Sequence, residues 1–188
     1  MATAGIARAQ APLAMRLRAT VDAVEGNSLS LTTRAGEKVT VSLAPDATVV
    51  AIVPIVLADI KQGSYVGTAA MPQPGGTLRA LEVHVLPESM RGAGEGHRPF
   101  DLQPQSTMTN GTVGTVTGSS DRTLTITYSG GEKTVVVAAN TPVVTYEPGS
   151  PALLVPGAHI ILFGNQGPDG KVTATRISVG KNGLVPPM

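Results

Sequence analysis

Most of the side chains in this sequence that could do chemistry lie in one stretch. Between Met90 and Met108 the chain carries Arg91, Glu95, His97, Arg98, Phe100 and Asp101, inside the segment Pro87–Asn110. A spacer needs only flexibility, which glycine, serine or proline supplies. Irregular segments of this length in a compact protein are usually functional or disordered. The expectation is an ordered strap on which Arg91, Glu95, His97, Arg98 and Asp101 give a ligand its polar contacts and Phe100 anchors the segment. Read as structure alone, Phe100 and Leu102 would plug a groove between domains while the charges pair locally. A second set, Met90, His97 and Met108, combines two thioethers with an imidazole, donors suited to Cu(I) or Ag(I). Its competitor is methionine as a plain filler of apolar gaps.

Other chemistry finds less support. Cysteine is absent, which removes disulfides, thiolate metal sites and cysteine nucleophiles. The histidines, His84, His97 and His159, show no His-x-His or His-x-x-x-His spacing, so zinc would need distant residues to converge. His84 follows Leu81 and Val83 and precedes Val85, which predicts an exposed position beside Glu82 on the polar face of a strand. His159 is likewise expected on a strand surface. Gly92-Ala93-Gly94-Glu95-Gly96 lacks the Gly-x-Gly-x-x-Gly spacing, and Pro99 stops a helix from following it. Glu88 with Glu95, or Glu95 with Asp101, could support acid–base work, but nothing in the sequence sets their separation. Asn110-Gly111-Thr112 has the form of a glycosylation sequon and is read as the turn that opens a repeat. No catalytic residue is expected, and no cofactor apart from copper in the soft-donor reading.

Composition narrows the partners. With 14 Lys and Arg against 13 Asp and Glu, the formal net charge is +1, too little to steer the chain toward nucleic acid. Tyr65, Tyr128, Tyr146, Phe100 and Phe163 are too scattered for a stacking platform. No run approaches the roughly 18 apolar residues that a spanning helix needs, so a transmembrane chain is not expected. Protein or small-ligand partners remain.

The elements that must position these groups come from a repeat. Ala19–Val24, Gly36–Val41 and Gly76–Val83 return about 94 positions later as Gly111–Val116, Gly131–Val136 and Gly170–Ile177. In each copy, alternating strands such as Leu17, Ala19 and Val21 form a three-stranded meander, followed by a proline-broken link and two closing strands. With aromatics at 3% the core must come from Val, Ile, Leu and Ala, which favours strands. The fold predicted is all-β: two tandem five-stranded OB-like (Greek-key) small barrels joined by a long ordered loop, with a β-sandwich as the alternative. The expected boundaries are a leader over 1–14, repeats over 15–86 and 111–180, the strap over 87–110 and a tail over 181–188.

The strand order, the shared Gly-Glu-Lys turn and the closing Gly-Thr-Leu-Arg-Ala or Gly-Lys-Val-Thr-Ala motifs resemble an uncharacterised family of secreted bacterial proteins with tandem small β-barrel domains of unknown function. The resemblance implies an extracytoplasmic fold and brings no catalytic residue with it. The first residues agree: Ala7-Arg8-Ala9 and Ala9-Gln10-Ala11 both have the small-residue spacing of a signal-peptidase site, without the apolar stretch that precedes one. Periplasmic or secreted location is therefore expected. The function expected is a non-catalytic extracytoplasmic binding or scaffold module; the alternative is a periplasmic Cu(I)/Ag(I)-binding protein.

Overall fold

The computed structural model describes residues 13–117 and 122–188. Most of the predicted leader, and with it the candidate cleavage sites, lies outside these residues; Leu13 and Ala14 already belong to the first strand. Thirteen strands and five single-turn 3-10 segments make up the ordered elements, and no α-helix occurs among the described residues. Among the described residues no helix is long and apolar enough to cross a membrane.

The first copy contributes β1 (Leu13–Glu25), β2 (Ser28–Thr33), β3 (Lys38–Pro54), β4 (Tyr65–Pro72), β5 (Leu78–Ala80) and β6 (Val83–Leu86). A short strand within the strap, β7 (Gly96–Pro99), follows. The second copy supplies β8 (Thr107–Thr117), β9 (Thr123–Tyr128), β10 (Gly131–Val136), β11 (Val143–Pro148), β12 (His159–Gln166) and β13 (Val172–Gly180). Two expectations change here. The strap is not a loop throughout: Gly96–Pro99 pairs with Thr107–Asn110, so the second copy's first strand starts before residue 111. And in the first copy part of the expected proline-broken link continues the third meander strand: β3 runs through Pro45 and ends only at Pro54.

The described residues form two compact units, and neither unit is one sequence repeat. Unit 1 takes the chain up to Ala51 together with Pro148–Pro186; unit 2 takes Ile52–Glu147 and the final two residues. The chain passes between them within β3 and again at the end of β11. Each unit thus joins the meander of one copy to the closing strands of the other.

In unit 2 the pairings run β4–β8, β8–β9, β9–β10, β10–β5 and β5–β4. This is a closed ring of five strands, with β10–β5 its one parallel contact. Closure decides for a barrel over a sandwich. Strands β6, β7 and β11 lie outside the ring: β6 extends along β4 and β11, and β7 caps β8. Alternate residues point inward, so Val66, Leu78, Val113, Leu124, Ile126 and Val135 form a dry core.

Unit 1 is paired in the order β13-β12-β1-β2-β3, and β13 also pairs with β3. Val21, Leu29, Leu31, Ile160, Leu162 and Ile177 fill its core. Matching hydrogen bonds show how closely the units correspond. Val21 donates to the Ala158 carbonyl at 2.9 Å and accepts from Gly157 at 2.8 Å; Val113 donates to Ser64 and accepts from Gly63, both at 2.8 Å.

Candidate functional site

Strap and buried polar groups meet on the outer face of unit 2. Three strands carry the centre, because register places His84 of β6 opposite Gly67 of β4, and Gly67 opposite Asn110 of β8. Directly paired residues share a face, so imidazole, bare glycine and carboxamide form one row. Gly67 is needed there: a Cβ at this position would lie 2.2 Å from His84 Nε2 and 2.6 Å from Asn110 Oδ1. Glycine weakens a strand interior and often marks a place that another group approaches closely. Here the ring fills the space.

A bulge brings in the carboxylate. Between the pairs Ala70–Ala80 and Gly67–His84 the return strand has one residue more than β4, which disrupts the ladder locally. The Ala69 amide donates to Glu82 Oε1 at 2.6 Å, and the other carboxylate oxygen lies 2.9 Å from His84 Nδ1. Glu82 is 0% exposed and His84 5%. The hydroxyl of Thr68 donates to the Glu82 carbonyl at 2.6 Å, and the Tyr146 ring meets His84 edge-on at 6.2 Å. The expectation that His84 is an exposed strand residue is therefore corrected. Both faces of β6 are covered, and alternation alone cannot reveal a cover.

The strap lies over this row. The Ala93 carbonyl accepts from Asn110 Nδ2 at 3.1 Å and from the Tyr65 hydroxyl at 3.3 Å. Burial, and next the charge of Glu95, raise the Tyr65 pKa above its ordinary value. The Asn110 bond fixes its amide orientation and leaves buried Oδ1 without a hydrogen-bond partner within the protein. Asn110 is thus a strand residue, and the sequon is not a turn.

The predicted strap residues are placed as follows. Arg91 bonds the Glu88 carboxylate at 2.5 and 2.7 Å, the Gly63 carbonyl at 2.9 Å and Thr112 Oγ1 at 3.2 Å, and lies 5.6 Å over the Tyr65 ring. That guanidinium holds the Glu88 carboxyl below its ordinary range. Glu95 accepts from the Ser129 amide at 2.7 Å, which ties the strap to the β9–β10 turn. Arg98 donates to Gly94 within the strap at 2.6 Å. The Phe100 amide donates to Ser106 across the turn containing Asp101, whose side chain is exposed. Of the carboxylates proposed for acid–base work, Glu88 is engaged by Arg91 and Glu95 by Ser129, while Asp101 lies on the exposed turn.

His97 stands apart. Its Nδ1 is 2.8 Å from Thr109 Oγ1, and its ring stacks on Tyr128 with centroids 6.5 Å apart and planes 22° from parallel. Burial of the stacked face, and then the Lys133 charge, lower its pKa. The soft-donor set is not gathered around it. His97 pairs with Thr109 and Arg98 with buried Met108, so His97 and Met108 point to opposite faces of the β7–β8 hairpin. Among the described residues no group of three His, Cys, Asp or Glu side chains could hold a metal ion.

The buried Glu82–His84 pair was not singled out in the sequence. One signal was available: Glu82 and His84 share strand parity beside a mid-strand glycine, whereas the second copy has Arg176, Ser178 and Ile161 at these positions. There Arg176 lies over the Phe163 ring at 4.2 Å.

Residues 113–178 match the profile of a domain of unknown function, DUF5666. No curated protein and no solved structure matches the chain.

Proposed function

We propose that the protein is a non-catalytic binding or scaffold module, built from two OB-like barrels and working outside the cytoplasm. The carrying observation is the strap on unit 2: Arg91 and Glu95 hold it in place, Arg98 bonds within it, and His97 stacks on Tyr128 at its outer edge. A pinned segment that displays a stacked ring pair suits recognition, because little order has to be gained on binding. The strand sequence meander, fifth strand, fourth strand around the ring supports the OB-like reading, and OB folds commonly bind oligosaccharides and oligonucleotides. The near-neutral charge favours uncharged ligands over nucleic acid. Export is supported by the small-residue spacing near the N-terminus and by the resemblance to secreted proteins.

The test is a titration of ¹⁵N-labelled protein with neutral tri- to hexasaccharides and short peptides. Saturable shifts at His97, Tyr128 and Lys133 that vanish in Tyr128→Ala are expected. Shifts confined to other surfaces, or turnover of any compound, would overturn the reading.

A further inference from the structure

We infer that the two halves of this chain are complementary subunits, so that a second copy of the chain can supply either half and give a half-exchanged dimer. The first half, β1 to β7, holds the meander of unit 1 and the closing strands of unit 2; the second, β8 to β13, holds the reverse. The pairings that close the described units cross from one half to the other. In unit 1 they are Leu13–Thr20 with His159–Gln166 and β3 with β13. In unit 2 they are Tyr65–Ala70 with Thr107–Thr112, and Leu78–Arg79 with Val135–Val136.

Neither half contains a complete ring. The family profile over 113–178 likewise spans strands of both units and encloses neither. The covalent link between the halves is the turn after β7, where Asp101, Gln103, Pro104 and Gln105 are exposed. Such a link raises the local concentration of one half around the other and adds no strand to either ring. Exchange of identical elements between copies costs little, because every native contact outside the connecting turn is made again. During folding, intramolecular pairing is set by the linker and intermolecular pairing by protein concentration.

The absence of cysteine allows a clean trap. Leu13 lies directly opposite Gln166, and directly paired strand positions fall within disulfide reach. A chain carrying Leu13→Cys is mixed in denaturant with a differently tagged chain carrying Gln166→Cys. The mixture is refolded and oxidised. The double variant in a single chain, refolded when dilute, controls for trap geometry and should close internally. Arg79→Cys with Val136→Cys repeats the test in unit 2.

The expected result is a covalent dimer of the two different chains, well above dimers of like chains. Its ratio to monomer should rise about tenfold for each tenfold rise in refolding concentration while monomer predominates. If the double variants close internally and the mixtures give no excess of unlike dimer at any concentration, the inference fails.

Discussion

Removing the His84 imidazole tests the buried polar row directly. In His84→Ala the Glu82 carboxylate, 0% exposed, loses the partner 2.9 Å away and keeps only the Ala69 amide. Orphaning a buried hydrogen-bonding group costs about 1–3 kcal/mol, and because Glu82 is fully buried the upper end, about 3 kcal/mol, is the expected loss. For a chain of this size that lowers Tm by roughly 6–12 °C. The double variant Glu82→Leu/His84→Leu removes both members together, and a buried pair replaced by apolar side chains is often close to neutral. It should recover more than half of the loss, which makes the two sites strongly non-additive. Urea midpoints of the wild type, Glu82→Leu, His84→Leu and the double variant, at unchanged slope, measure the cycle. A loss below about 1 kcal/mol in His84→Ala, or a double variant as unstable as the two singles combined, would refute the account.

Two further outcomes follow from the same region. Gly67→Ala should destabilise by about 1–3 kcal/mol, even though alanine normally improves a strand, because its Cβ meets a ring and a carboxamide that are both tethered; thermal unfolding measures it, and a stabilised variant would contradict the packing. His97 should titrate below its ordinary midpoint of 6.5. A folded-state pKa lowered in this way contributes stability above pH 6.5 that is lost as pH falls through the folded value. Histidine NMR titration checks the midpoint, and Lys133→Ala should move it upward.

Much of the architecture could be read from periodicity and repetition. The meanders, the closing strands and the all-β class depend on local alternation and on turns such as Gly36-Glu37-Lys38 and Gly131-Glu132-Lys133. Which copy's strands pair with which could not be read that way. Thr20 finds His159 rather than Tyr65, and Thr112 finds Tyr65 rather than His159, although the local patterns of the two copies are interchangeable. The same limit applied to the candidate site. Alternation put Glu82 and His84 on one face of the return strand, but what covers that face is the strap, folded back over it, and Tyr146, far off in sequence. Within the strap, Pro99 and the glycines argued for a loop. The short β7 forms because its partner, Thr107–Asn110, is itself the start of a long paired strand.

The crossed arrangement also constrains how such a chain can be divided. A chain that kept one copy alone would hold a meander and closing strands that belong to different units here, and their edges would stay unpaired unless the two met. Unpaired strand edges of that kind invite association. A harmful substitution in one copy's meander falls in one unit, and one in its closing strands falls in the other. Because the chain crosses within β3, neither compact unit is made by a single repeat alone.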